Sequence, residues 1–136
     1  MKAKSASLIR LKKFHVDEKR RQVMQIESMV ADFERMATEL DQQIEIEQQK
    51  TGIADVAHFA YSTFAKAART RRDNLLASAQ DMRGKLEAAQ DELAEAVEDL
   101  KKVELLDARE HQREAAEEAK REQADYDEMG RLRFGK

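Results

Sequence analysis

The side chains that could carry acid–base, metal or nucleophilic chemistry are three histidines and many carboxylates. His15, His58 and His111 lie far apart, and none belongs to an HExxH or similar motif. The sequence has no Gly-rich phosphate loop, no G-x-S-x-G motif and no Cys to supply a thiolate. Because an enzyme needs convergent groups in a concave site, the sequence predicts no catalysis, no metal site and no cofactor.

The composition indicates which elements must position these side chains. Of the 136 residues, 39% are charged and only 5% are aromatic, and there is no Pro, Trp or Cys. Ala, Glu, Lys, Leu, Arg and Gln dominate, which is typical of long helices and coiled coils, although disorder is the rival class for so polar a chain. No apolar run has the length of a signal peptide or a membrane span, so we expect a soluble intracellular protein.

Apolar periodicity decides in favour of helices. In the first half, apolar residues recur every seven positions, and we call these residues the first heptad stripe: Ile9, Val16, Val23, Val30, Ala37 and Ile44. In the second half, apolar residues recur at spacings that alternate between four and three. These residues form the second heptad stripe: Leu75, Ala79, Met82, Leu86, Ala89, Leu93, Ala96, Leu100 and Val103. The same positions then become polar, at Asp107, Glu110 and Glu114.

The register permits either one continuous helix or a hairpin, because Ile44 and Ala79 are five whole heptads apart. Weak helix formers favour the hairpin, since they cluster within a short stretch: Thr51, Gly52, Asp55, His58, Ser62 and Thr63. We therefore predict an all-α fold, a long antiparallel two-helix coiled-coil hairpin with a C-terminal helical overhang. Paired residue numbers would sum to roughly 105–110.

The predicted boundaries follow from these stripes. One coiled-coil domain would cover residues 1–136. Helix 1 would span about residues 6–50, the turn about 51–58 and helix 2 about 59–128, followed by a short tail over 129–136.

The aromatic residues concentrate in the stretch TGIADVAHFAYSTF, at the predicted turn. A hairpin tip would expose Phe59, Tyr61 and Phe64 unless they fold back onto the helices. They could close the open end of the coiled coil, or they could form a partner site, because exposed aromatic clusters mark protein interfaces. Both interpretations can hold together.

The basic start of the chain raises a nucleic-acid hypothesis. Residues 1–21 carry eight Lys or Arg against two Asp or Glu, whereas residues 22–50 carry two against seven. Basic arms bind phosphates by counterion release. No aromatic residues alternate with these basic residues, and the whole chain has a net charge of −3. We therefore predict no nucleic-acid partner, and interpret the basic segment as solvated or as docking on an acidic protein surface.

Three segments resemble the flagellar export protein FliJ family, in its alphaproteobacterial form. The opening LIRLKKFHVDEKRRQV is similar to the family's Leu-x-x-Leu start and charged helix. In GIADVAHFAYSTF, the pair Gly52-Ile53 followed by Tyr61-x-x-Phe64 resembles the family's turn and its Tyr-x-x-Phe. The segment beginning RRDNLLASAQDMRGKLEAAQDELAEAVEDL resembles the second helix. The resemblance covers nearly the whole chain.

This resemblance implies a stalk-like antiparallel coiled coil in the flagellar type III export apparatus, without enzymatic activity. It implies three partners: the hexameric ring of the export ATPase, the cytoplasmic domain of the export gate, and export chaperones. No small-molecule substrate is expected. The implied location is cytoplasmic, peripherally associated with the flagellar basal body at the inner membrane. The alternative function is a structural homodimeric coiled coil, continuous through residues 51–64, that acts as a spacer or scaffold.

The resemblance also implies binding residues. The expected contacts to the export gate lie in the middle of the chain: Leu40, Ile44, Phe59, Tyr61, Phe64 and Ala68. The paired ends, residues 8–21 and about 100–106 with the overhang, match the part expected to enter the ATPase ring. The expected ring contacts there are Leu8, Leu11, Arg20 and Arg21.

Overall fold

The computed structural model describes residues 2–134 and consists of two helices. Helix α1 spans Lys2–Thr51 and helix α2 spans Thr63–Phe134, with residues 52–62 as the connection between them. Neither helix contains Pro, and each carries one heptad stripe, which explains their length. The predicted all-α helical hairpin is confirmed, and the alternative of one helix continuous through residues 51–64 is wrong.

The helices contribute to two compact units. One unit contains residues 17–94, and the other contains residues 1–16 and 95–136. In a pair of helices, each residue contacts only residues within a turn or two of its own position. The contacts that hold each unit together are therefore local. Each unit combines a segment of α1 with a segment of α2.

Ion pairs between the helices show the antiparallel direction within residues 17–94. Lys19 Nζ lies 3.0 Å from Glu92 Oε2, and Arg72 Nη1 lies 2.8 Å from Asp41 Oδ1. A third pair joins Glu34 to Arg83. As the number of the α1 residue rises, the number of its α2 partner falls. Such exposed pairs contribute only about 0.2–1 kcal/mol each, so they report the register more than they stabilise it.

Apolar burial follows the two heptad stripes. In residues 17–94, the first stripe is buried at Val23, Val30, Ala37 and Ile44. The second stripe is buried at Ala79 and Ala89, whereas its larger residues there are only half-buried: Leu75, Met82, Leu86 and Leu93. Two helices have no third layer to cover them, so the larger residues of the second stripe keep one face in water while its alanines at the contact are covered.

The other unit contains the N-terminal part of α1 and the C-terminal part of α2. Val16 is buried there, and Ile9, Leu100 and Val103 are half-buried. The polar continuation of the second stripe, Asp107, Glu110 and Glu114, is also half-buried. From residue 115 to residue 133 every residue except Gly130 is exposed. This exposed part of α2 is the predicted C-terminal overhang.

Three predicted boundaries differ from the structure. Helix α1 begins at Lys2 rather than near residue 6, because Lys and Ala in the first turns favour helix. Helix α2 begins at Thr63 rather than near residue 59, because the Ser62 side-chain oxygen accepts a hydrogen bond from the Ala65 N–H at 3.2 Å and caps the helix. The partner numbers of the ion pairs between the helices consequently sum to between 111 and 117, above the predicted range.

The third difference concerns the predicted tail over residues 129–136. Helix α2 continues through residue 134, and residues 135–136 lie outside the described part of the chain. Arg131 and Arg133 lie in the last turn, where cations complement the helix dipole. This favourable electrostatic term offsets the low helix propensity of Gly130.

Gly52 ends α1 in a left-handed conformation. Its φ is +74°, and its N–H donates a hydrogen bond to the Gln48 carbonyl at 2.9 Å. The next N–H, of Ile53, donates to Thr51 Oγ1 at 3.3 Å. A positive φ is routinely accessible only to Gly, so this residue allows the chain to leave the helix axis directly after Thr51.

We expect Gly52→Ala to lower the free energy of unfolding by about 1–2 kcal/mol, the cost of a side chain in the left-handed region. A Cβ at this position would meet no atom within 4 Å, so the expected cost is conformational rather than steric. Gly84→Ala is the matched control, because Gly84 lies inside α2 with equally open surroundings. This control should stabilise the protein by about 0.5–1 kcal/mol. Urea unfolding followed by circular dichroism measures both, and equal effects would contradict the account of the turn.

Candidate functional site

Backbone turns held by side chains shape the connection between the helices. Asp55 Oδ1 accepts a hydrogen bond from the Ala57 N–H at 2.9 Å, and His58 Nδ1 accepts one from the Ala60 N–H at 3.0 Å. The His58 N–H donates to the Asp55 carbonyl at 3.0 Å, and the Tyr61 N–H donates to the His58 carbonyl at 3.1 Å. The residues that disfavour a helix here therefore supply the acceptors that stabilise turns.

Tyr61 anchors the connection to both helices. It is 9% exposed and belongs to a buried cluster with Ile44, Ala65 and Ala68. Its hydroxyl accepts a hydrogen bond from Gln48 Nε2 at 2.8 Å, so the polar end of the ring is satisfied. The adjacent Ser62 hydroxyl donates to Glu47 Oε1 at 3.1 Å. Leu40 and Ile53 pack against the cluster from its edge.

The other two aromatic residues of this region are exposed. Phe59 is 96% exposed and stacks on the neighbouring His58 ring, with centroids 4.7 Å apart. Phe64, in the first turn of α2, is 54% exposed. Tyr61 closes the end of the helix pair, while Phe59 and Phe64 present their rings to solvent.

A shallow groove runs beside Phe64 between the helices. We call it the Phe64 groove, and its lining comes from both helices: Leu40, Gln43, Phe64, Ala67, Ala68 and Arg71. A second depression shares Leu40, Gln43 and Arg71 with it and continues towards Met36 and Leu75. The Phe64 groove is therefore mainly apolar, with Gln43 and Arg71 as its polar residues, and Glu39 lines the second depression.

Two consecutive arginines differ sharply in their surroundings. The Arg72 guanidinium donates to Asp41 Oδ1 at 2.8 Å and to Asp73 Oδ1 at 2.9 Å. The hydrogen bond to Asp41 contributes most to raising the pKa of Arg72, and the hydrogen bond to Asp73 raises it further. Arg71 is exposed at the groove. Within residues 2–134, no carboxylate lies within ion-pair distance of Arg71.

The six residues predicted to contact the gate lie in the unit of residues 17–94, but not all are accessible. Leu40, Phe59 and Phe64 offer exposed or half-exposed surface. Ile44, Tyr61 and Ala68 are buried, at 4%, 9% and 6% exposure. Any contribution of Ile44 and Tyr61 to binding would therefore be to position their exposed neighbours.

The residues predicted to contact the ATPase ring are exposed but are divided between the two units. Leu8 and Leu11, 42% and 52% exposed, belong to the unit with residues 1–16. Arg20 and Arg21 are exposed residues of the other unit, and Arg20 lies 3.9 Å from Asp17. Phe14 was not predicted as a contact, although it is 54% exposed. Its signal was the spacing of three that it shares with Leu8 and Leu11.

Within residues 2–134, no three His, Asp or Glu side chains converge in a way that could hold a metal ion. No described helix is long and apolar enough to cross a membrane.

The family model described as flagellar FliJ protein matches residues 1–136. The chain belongs to the FliJ family. FliJ proteins are non-catalytic components of the flagellar export apparatus, so membership implies a component of that apparatus here. No curated protein and no solved structure gives a significant match.

Proposed function

We propose that this FliJ-family chain is a non-enzymatic, stalk-like coiled coil that binds the export ATPase ring with its paired helix ends. Its Phe64 groove would contact the cytoplasmic domain of the export gate. The observation that carries the gate contact is the half-exposed Phe64 ring on a surface lined by both helices. An antiparallel pair suits this role, because two partners can bind different segments of one molecule.

The composition of the groove supports a protein partner. A half-exposed aromatic ring beside Leu40 offers an apolar contact of the kind that contributes most affinity at interfaces. Beneath this surface, Tyr61 and Ile44 form part of the buried cluster that fixes the start of α2. The contact surface is therefore preorganised, which reduces the entropy lost on binding.

We expect Phe64→Ala to weaken binding of the gate's cytoplasmic domain by about ten- to a hundredfold, the usual effect of removing a central aromatic anchor. Phe14→Ala is a matched control, because Phe14 has the same exposed fraction, 54%, but lies in the other unit. Isothermal titration calorimetry of both variants measures the difference. Equal affinities for wild type and Phe64→Ala would contradict the gate contact, provided that both retain wild-type circular dichroism.

The proposed ring contact uses Leu8, Leu11, Arg20 and Arg21. Exposed leucines and the basic surplus of residues 1–21 support an insertion into a ring lined with acidic or polar groups. We expect the wild-type chain to promote assembly and turnover of the export ATPase, and the double change Leu8→Ala with Leu11→Ala to reduce this stimulation at least about fivefold. Leu76→Ala, at 46% exposure, is the control. Unchanged ATPase turnover at saturating wild-type chain would contradict this contact.

Three further parts of the proposal rest on family membership: escort of export chaperones, a cytoplasmic location at the basal body, and the absence of enzymatic activity. The homodimeric spacer is the competing function. It has less support, because the ion pairs join α1 and α2 of one molecule. Light scattering distinguishes them, since the stalk predicts a monomer in isolation and the spacer predicts a dimer.

A further inference from the structure

The Phe64 groove and its extension towards Leu75 contain one cation whose charge is not matched by an ion pair. Two charged residues line this surface, Glu39 and Arg71. The Glu39 carboxylate already accepts a hydrogen bond from Arg35 of its own helix at 3.4 Å. The part of the chain that the structure describes provides no carboxylate partner for Arg71.

Arg71 and the neighbouring Arg72 differ in their ion pairs because they lie on different faces of α2. Arg72 faces α1 and bonds to Asp41 and Asp73, whereas Arg71 lies one residue earlier, turned by about 100° around the helix axis. Arg71 therefore lies beside the exposed apolar surface rather than within the network between the helices. Next to Phe64, an incoming group would exclude water and strengthen a charge-assisted hydrogen bond to this guanidinium.

We infer that the groove takes an amphipathic helical segment of the gate's cytoplasmic domain that carries one carboxylate about one turn from an apolar anchor. The anchor would cover Phe64 and Leu40, and the carboxylate would pair with Arg71. This inference rests on the proposed gate contact. A groove between two helices fits a third helix, and a guanidinium pairs with a carboxylate in a bidentate manner.

The acidic surplus of α1 favours an occupant with a single carboxylate over one with many. Residues 22–50 of α1 carry seven Asp or Glu against two Lys or Arg. This acidic side would repel a tract of carboxylates, a nucleic-acid backbone or an anionic lipid surface. An occupant with one negative charge at Arg71 and neutral or basic residues towards α1 is the complementary pattern.

The test measures affinity of the gate's cytoplasmic domain for the full chain by titration calorimetry. We expect Arg71→Glu to weaken binding at least about tenfold and Lys66→Glu to change it less than twofold. The two substitutions change the charge equally, but Lys66 is an exposed residue turned about 140° around the helix from Arg71. A second expected result is rescue, in which changing one gate Asp or Glu to Lys restores binding to Arg71→Glu but weakens binding to wild type.

Several outcomes separate this inference from the proposed function. If Phe64→Ala abolishes gate binding while Arg71→Glu binds as wild type, the inference is overturned and the gate contact stands. If wild type does not bind the gate at all, both are overturned. If Arg71→Glu instead converts a dimer of the chain to a monomer in sedimentation, or removes binding to phosphatidylglycerol vesicles, the groove has another occupant and the inference is overturned. Matching thermal unfolding of Arg71→Glu and wild type excludes misfolding as the cause.

Discussion

Replacing Tyr61 with alanine should lower the free energy of unfolding by about 3–4 kcal/mol, the range for deleting a buried aromatic side chain. The ring is 9% exposed and packs with Ile44, Ala65 and Ala68 where the two helices meet the connection. The substitution would also leave the side-chain amide of Gln48 without its 2.8 Å partner. Because single domains are stable by only about 5–15 kcal/mol, we expect a clear shift of the urea midpoint.

Two control variants distinguish the causes of this loss. Tyr61→Phe keeps the ring and removes the hydroxyl, so it should cost about 1 kcal/mol, the usual net value of one hydrogen bond. Phe59→Ala removes an aromatic ring of similar size that is 96% exposed, and should change stability by less than about 0.5 kcal/mol. Equal losses for Tyr61→Ala and Phe59→Ala would show that Tyr61 does not anchor the connection.

The second large effect is expected at Ile44, the last apolar residue of the first heptad stripe. Ile44 is 4% exposed and lies in the same buried cluster as Tyr61. Ile44→Ala should lower the free energy of unfolding by about 2–4 kcal/mol through lost apolar transfer and an unfilled space at the helix contact.

Ile46→Ala is the matched control for this substitution. Ile46 lies on the same helix two residues away, but it is 64% exposed. The same chemical change there should alter stability by less than about 0.5 kcal/mol. Thermal unfolding followed by circular dichroism compares the two, and a loss at Ile46 as large as at Ile44 would contradict the assignment of the buried face.

Periodicity predicted most of the fold, because burial along a long helix repeats with the helical turn. The buried residues Val23, Val30, Ala37 and Ile44 are the ones that recur every seven positions. The alternating leucines and alanines of the second stripe similarly predicted which face of α2 is covered. The break near Gly52 followed from the low helix propensity of the residues around it.

The path of the connection was less predictable, because several polar residues compete to cap or turn the chain. Four side chains in this region accept a hydrogen bond from the backbone: Thr51, Asp55, His58 and Ser62. The start of α2 depends on Ser62 being the residue that caps the helix. The same choice decides that Tyr61 turns inward while Phe59 turns outward. Composition showed an aromatic cluster, but it could not distinguish the buried ring from the exposed ones.

Ion-pair partners were also beyond sequence reasoning, because each helix carries many charges of both signs. Arg71 and Arg72 are identical in type and adjacent in sequence. Their different surroundings arise from the helix face that each occupies against α1, which depends on the pairing register. Helix α2 begins later than expected, which changes the residues of α1 and α2 that lie opposite each other. The partner of Arg72 could therefore be identified only from the structure.

Hydrogen–deuterium exchange of the full chain, with and without the gate's cytoplasmic domain, tests the central claim of a gate contact at the Phe64 groove. We expect slower exchange on binding in residues 36–44 and 59–75, together with little change in residues 4–16. Protection confined to residues 4–16 or to the overhang at 115–133 would contradict that claim, as would no protection under conditions in which the two proteins bind.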